Sequence, residues 1–150
     1  MKIPISVLVV IHNADGEVLL IERADRSGFW QSVTGSLDFV DEPTREAAIR
    51  EVSEETGIDV NTLPADALQD MQHQVDYVIF PGWRHRYPPG VTINREHWFS
   101  LLVPKNTPVR LAPREHVAYA WLPAGEAAKR CFSESNREAI LRLYGLNLSV

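Results

Sequence analysis

The segment Arg50-Glu51-Val52-Ser53-Glu54-Glu55-Thr56-Gly57-Ile58 concentrates the acidic chemistry of this 150-residue chain. On a helix each residue turns by about 100°, which puts Glu55 about 40° from Glu51 and Glu54 about 60° to the other side. The three carboxylates then share one face. Like charges at i and i+4 cost an isolated helix about 0.2–0.5 kcal/mol per pair. A hard divalent cation turns that repulsion into ligation, because Mg²⁺ takes carboxylate and water oxygens. The same face also reads as a solvated surface, since Glu46–Arg50 and Arg50–Glu54 are i, i+4 ion pairs. The surroundings have to decide.

Those surroundings predict strands around the helix. The β-branched run Ile5 to Ile11, the turn Asn13-Ala14-Asp15-Gly16 and the run Val18 to Ile21 read as a hairpin. Ala24 to Gly28 is a polar loop, and Gly35 to Asp41 a loop with some extended character. Pro43 fits the first turn of the acidic helix, with Asp41 or Glu42 near its cap, and Gly57 fits its stop. Gln74 to Phe80, His97 to Val103 and Val117 to Leu122 read as further strands. The segment between the first two is a loop shaped by Pro81, Gly82, Pro88, Pro89 and Gly90. A last helix is expected over Asn136 to Tyr144, with Ser135 and Glu138 as a capping box. The pattern predicts a mixed-sheet α/β domain, with no linker or repeat to divide the chain.

Fifteen Lys and Arg against twenty Asp and Glu give a net charge of −5. An acidic whole argues against a nucleic-acid partner, which needs a basic footprint, but leaves room for a small anion. Cys131 is the single cysteine, so no intrachain disulfide is possible. The apolar run Ile3 to Ile11 is too short to span a bilayer and lacks a small-residue cleavage site. The expectation is a cytoplasmic protein with no membrane partner. Nothing in the sequence specifies an oligomeric state.

Gly35, Glu42, Arg50-Glu51, Glu54-Glu55 and Gly57-Ile58 together resemble the Nudix box, a Gly-loop-helix signature of hydrolases of nucleoside-diphosphate-linked compounds. The usual box has five residues between the first Gly and the first Glu, whereas Ser36 to Asp41 makes six. Either Asp41 takes the acidic position or the loop bulges by one residue. The resemblance implies a single Nudix-type α/β/α sandwich with a mixed β-sheet over residues 1–150, and hydrolysis dependent on Mg²⁺ or Mn²⁺. By matching position it makes Glu51 and Glu55 the direct metal ligands and Glu54 a close third, with Arg50 orienting them through ion pairs. A glutamate away from the helix often completes such a site. Glu115 is the candidate, as metal ligand or as acceptor of the water's proton; its plain alternative is a surface-loop acid.

Beyond the box, Phe29 to Ser36, Arg84-His85-Arg86-Tyr87, Pro89-Gly90-Val91-Thr92, Glu115-His116 and Ser135-Asn136-Arg137 resemble the dihydroneopterin triphosphate pyrophosphohydrolase branch of that family. Its members split a triphosphate into a monophosphate ester and pyrophosphate, so the implied partner is a pterin or nucleoside triphosphate. Lys2 and Arg23 are the candidates to meet phosphates, and Thr34 offers a hydroxyl beside Gly35. Arg84 and Arg86, interleaved with Trp83 and Tyr87, form a candidate patch for holding an anion and stacking a ring. Tyr77 and Phe80 have odd separation, which assigns one to the core and the other to the ring pocket. Ser135 reads as a helix cap at an N-terminus that would also suit a phosphate. Two other readings compete: a general nucleoside triphosphate or dinucleotide pyrophosphatase, and a ligand-binding module without catalysis. The intact Glu51, Glu54 and Glu55 weigh against the latter. If two divalent ions bind, four positive charges bring the formal −5 to about −1.

Overall fold

The computed structural model describes residues 1–146. Strands β1 (Ile5–His12) and β2 (Glu17–Arg23) form the expected hairpin. Asn13 closes its turn by accepting from the amides of Asp15 and Glu17, and Gly16 takes the φ of 76° that glycine tolerates best. Next come β3 (Trp30–Gln31) and β4 (Val33–Ser36), so the stretch from Gly35 is strand for two residues before it becomes loop. Helix α1 (Thr44–Thr56) ends at Gly57, whose left-handed backbone lets its amide donate to the Ser53 carbonyl. Pro43 sits at the N-cap rather than in the first turn, because its backbone (φ −59°, ψ 135°) is still extended there.

Strands β5 (Leu68–Val78) and β6 (Ile93–Leu102) begin earlier than Gln74 and His97. A register shift between Asp70 and Gln74 breaks the alternation of β5, which is why its first half does not read as strand. The Pro- and Gly-rich connection contains a 3-10 turn, Pro81–Arg86. Strand β7 (His116–Pro123) runs directly into α2 (Ala124–Arg130), an alanine-rich helix without a foregoing loop signal and not anticipated from sequence. Helix α3 (Glu134–Tyr144) is capped by Ser133, whose hydroxyl accepts from the Asn136 amide at 3.2 Å. The cap expected at Ser135 is therefore displaced two residues upstream, and Ser135 lies in the first turn.

The sheet is mixed and pivots on β1. This strand runs parallel to β6 along its whole length, while its other edge is shared. Ser6 to Val9 pair with β4 and His12 pairs with β2, which then leaves to pair with β3 and β7. One face carries Val7, Val9, Ile11, Phe99 and Leu101 against Ala47, Ala48 and Val52 of α1. The other carries Leu8, Val10, Leu20 and Trp98 against Ala127, Ala128, Ala139 and Ile140 of α2 and α3. Burial on both faces explains the unbroken apolar run of β1. This is the expected α/β/α sandwich with a mixed sheet. Among the described residues no helix is long and apolar enough to cross a membrane.

Candidate active site

The fork on β1 places β4 beside the C-terminal half of α1. Glu51 extends over Gly35, where an added Cβ would collide with its carboxyl group, so glycine is required by contact. Arg50 organises the acidic cluster. Its guanidinium donates to Glu51 at 2.7 Å, to Glu42 at 3.0 and 3.2 Å, and to the Ser36 carbonyl at 3.1 Å. Asp38 lies 3.0 Å away and the more exposed Glu54 3.5 Å away. Glu42 is buried and also accepts from the Asp38 amide, and Arg50 holds its carboxyl below the ordinary range. Asp41 is exposed. Of the two acids at the end of the longer loop, Glu42 rather than Asp41 therefore packs into the cluster around Arg50.

Glu55 is 2% exposed, and its Oε1 has no hydrogen-bond partner. The Nε2 of buried His116 lies 3.6 Å from that oxygen, too long for a hydrogen bond. Burial, then the neighbouring Glu51 and the charge of Glu115, raise the Glu55 carboxyl well above its usual value; a backbone hydrogen bond from Thr34 opposes them. Burial also raises Glu51, against the pull of Arg50. Burial and the charge of Arg23 depress His116 to about 4, so its imidazole is neutral near pH 7 and gives Glu55 no counter-charge. A buried carboxyl with an orphaned oxygen beside two more carboxylates is a poor arrangement without a cation and a good one with it. Among the described residues no group of three or more His, Cys, Asp or Glu side chains is arranged to hold a metal ion by itself. Mg²⁺ needs only one or two carboxylates when water and substrate phosphate fill its other positions. Glu51 and Glu55 could hold such an ion, with Glu54 and Glu115 bordering the same cleft.

This cleft has a volume of about 720 Å³ and shares Lys2, Arg23, Gln31, Thr34, Tyr77 and Arg86 with a second chamber of about 780 Å³. The shared seam is basic. Asp25 takes a two-pronged pair from Arg23 at 2.8 and 2.9 Å and a further bond from Arg86 at 3.1 Å, which holds its own carboxyl at about 2. Arg23 also lies over the Trp83 ring, 4.3 Å from its centre. Lys2 is bound through its amide to the Arg86 carbonyl, and burial with Arg86 and Arg23 lowers its pKa. Beyond the seam the chamber turns aromatic. Phe29 stacks on Phe132 at 4.5 Å, and Phe80 and Trp83 lie 5.0 Å apart.

The chain matches the NUDIX domain over residues 2–143. It is 47% identical over 140 residues to the dihydroneopterin triphosphate diphosphatase of Escherichia coli strain K12, covering 93% of this chain and 91% of that protein. Identity to the Haemophilus influenzae dihydroneopterin triphosphate diphosphatase is 40% over 144 residues, covering 95% and 88%. The solved structure of the E. coli dihydroneopterin triphosphate pyrophosphohydrolase superposes with a TM-score of 0.86 at 46% identity, over 94% of each chain.

The chain belongs to the Nudix family. Its box residues Gly35, Glu51, Glu54 and Glu55 meet at one end of the cleft, with Glu115 alongside. Lys2, Arg23, Thr34 and Arg86 meet at the seam. The expected Arg84–Arg86 patch is divided: Arg84 donates to the Ile79 carbonyl at 3.1 Å, while Arg86 turns to Asp25. Tyr77 and Phe80 both border the aromatic chamber, because β5 ends at Val78 and the alternation lapses before Phe80. Ser135 borders it too, from within the first turn of α3. Sequence reasoning missed Asp25, assigned only to a polar loop, and left the stacking partners Phe29 and Phe132 unpaired. It also passed over Glu96, although an acidic residue in a strand, in phase with Trp98, was a usable signal.

Proposed function

We propose that this chain is a divalent-metal-dependent pyrophosphohydrolase that cleaves dihydroneopterin triphosphate to dihydroneopterin monophosphate and pyrophosphate. The observation that carries the reading is the order of chemistry along one continuous cleft: carboxylates, then cations, then aromatic rings. A polyphosphate ester of a fused heterocycle has the matching order. The names of the E. coli and H. influenzae relatives support the pterin. The family match over residues 2–143 supports treating the chain as a single catalytic domain. We place the enzyme in the cytoplasm with Mg²⁺ as its working ion and Mn²⁺ as a substitute.

In this reading Glu51 and Glu55 would hold the ion, and Glu115, just before β7 on the same cleft, would serve as a further ligand or as proton acceptor. Arg50 fixes the Glu51 carboxyl in place. When bound, the metal neutralises phosphate oxygens and lowers the pKa of a water. Glu54 borders the cleft as a third box carboxylate. Arg23 and Lys2 neutralise the phosphates as the chain lies in the seam, and Asp25 keeps Arg23 and Arg86 pointed there. Thr34 places its hydroxyl beside Gly35. Tyr77, Phe80 and Trp83 enclose the ring, with Arg84 bracing the loop and Ser135 at its rim.

The test is pyrophosphate release by purified protein with Mg²⁺, on dihydroneopterin triphosphate, dGTP, dATP and a dinucleoside tetraphosphate. The pterin should be turned over fastest and chelation should stop it. Equal rates on dATP would overturn the pterin assignment in favour of a general pyrophosphatase. Tight binding without hydrolysis would point to a ligand-binding module.

A further inference from the structure

Two acidic residues line the aromatic chamber, Glu96 and Glu134, and only Glu96 is fully buried; the hydrolytic reading does not use it. Glu96 lies on β6, between Ser6 of β1 and Val75 of β5, on the face covered by α3. It is 1% exposed and borders the chamber together with Phe29, Tyr77, Phe80, Trp83 and Phe132. The Trp98 ring N–H donates to its Oε1 at 3.1 Å, and the Ser135 hydroxyl is its other hydrogen-bonding neighbour. Burial outweighs both and raises the carboxyl to about 7. No Lys, Arg or His forms an ion pair with it among the described residues.

A neutral indole N–H needs only a neutral acceptor, and glutamine would serve it at lower desolvation cost. A carboxyl group kept in this position therefore has acceptor capacity to spare, directed at a chamber built for a flat ring. Glu96 lines that chamber and the basic seam joins it to the carboxylate cleft, so a ring whose phosphates lie in the seam can turn its opposite edge to Glu96. On a 2-amino-4-oxo heterocycle that edge is a ring N–H beside an exocyclic NH₂. These two parallel donors match the two oxygens of a carboxylate, as a guanidinium does.

We propose that Glu96 is a specificity-determining residue that accepts both hydrogen bonds from the amino–imino edge of the substrate ring. The inference rests on the pyrophosphohydrolase reading and adds the feature by which the ring is selected. Two donors on the ligand favour the ionised carboxylate, so binding draws the proton off Glu96. Adenine sets a ring nitrogen lone pair where the ring N–H should be, and is rejected. A ring with oxygen in place of the 2-amino group sets an acceptor against the carboxylate and is rejected as well.

The test compares neopterin monophosphate with its lumazine counterpart, in which oxygen replaces the 2-amino group, by calorimetric titration of the wild type and Glu96→Gln. Neither ligand carries a phosphoanhydride, so binding is read without turnover. The wild type should prefer the amino compound by about 10-fold or more, the size seen when a buried polar group loses its partner. In E96Q the side-chain NH₂ faces the ligand, so the preference should vanish or invert toward the oxo compound. The Trp98 contact survives through the amide oxygen, and a melting curve checks the fold. On dihydroneopterin triphosphate the same variant should raise KM far more than it lowers kcat. Wild-type binding of both compounds within about twofold, no binding of either, or an equal loss of both in E96Q would overturn the assignment. Continued wild-type turnover of dihydroneopterin triphosphate alongside any of those results leaves the hydrolase reading standing. Absence of turnover with the amino preference intact overturns the hydrolase reading and keeps Glu96.

Discussion

Glu55 and Glu96 are two buried glutamates in adjoining chambers of one cleft, and they are built for opposite kinds of partner. Glu55 faces carboxylates: Glu51 shares its face of α1, Glu115 adds charge from the β7 side, and one of its oxygens has no donor at all. Glu96 faces neutral donors, the Trp98 ring and the Ser135 hydroxyl, within aromatic walls. Burial raises both groups, so a shifted carboxyl by itself says nothing about what it binds. The neighbours make the distinction. Accumulated negative charge calls for a metal ion, whereas isolation among apolar rings suits a polar edge of an organic ligand.

The largest expected effect separates the two directly. Glu55→Gln should reduce kcat on the order of 1,000-fold, because several kcal/mol of electrostatic stabilisation depend on the ion it helps to hold. The same substitution should raise the melting temperature of the chelated protein, since it removes a buried carboxyl with an orphaned oxygen. E96Q should instead act mainly on KM and on the choice of ring. Steady-state kinetics with and without chelator check both, and a matching collapse of kcat in the two variants would erase the distinction.

The pH dependence of stability gives a second, smaller contrast. Glu96 has a folded pKa of about 7 against an ordinary 4.5. Its contribution is complete below 4.5 and is lost as pH rises through about 7. Glu55, also raised, behaves likewise in the absence of metal. His116 has the opposite sign: its contribution is complete above 6.5 and is lost as pH falls through about 4. The slopes oppose each other over the range where the windows overlap, so the metal-free protein should lose melting temperature most clearly above pH 6.5. Saturating Mg²⁺ should remove the Glu55 part of that decline and leave the Glu96 part, which E96Q removes. Thermal scans across pH in Mg²⁺ or chelator would read this, and a decline abolished entirely by Mg²⁺ would remove Glu96 from the account.

The acidic end was the more legible region because its logic is local. A helix of 3.6 residues per turn puts Glu51 and Glu55 on one face whatever packs around them, and Gly57 stops it by backbone geometry alone. The hairpin, the central helix and the α/β class followed from periodicity for the same reason. The aromatic chamber depends on long-range packing. Phe29 meets Phe132 across 103 positions of chain, and Arg23 reaches Trp83 across a loop whose turns no pattern specifies. Helix α2 escaped notice because it follows β7 without a break, and the start of β5 because its bulge interrupts the alternation. Glu96 shows the intermediate case: its strand was legible in part, but its neighbours come from β5 and α3.

The smallest expected effect tests where the chamber's rim ends and its scaffold begins, at two serines of α3. Ser133 caps the helix by accepting from the Asn136 amide and also from the Asn136 side chain at 2.8 Å. Asn136 in turn accepts from the buried Ser32 amide at 2.8 Å, which fastens α3 to the segment between β3 and β4. Ser133→Ala should therefore cost about 1 kcal/mol of stability, the usual worth of a lost cap. Ser135 lies two residues on, inside the first turn, where its hydroxyl meets Glu96 rather than an orphan amide. Ser135→Ala should leave stability within about 0.5 kcal/mol and act on pterin KM instead. Denaturant unfolding of both variants beside their kinetics checks the pair. If the Ser135 variant were the less stable of the two, the cap would lie at Ser135 after all, and the chamber would lose the hydroxyl that steadies Glu96.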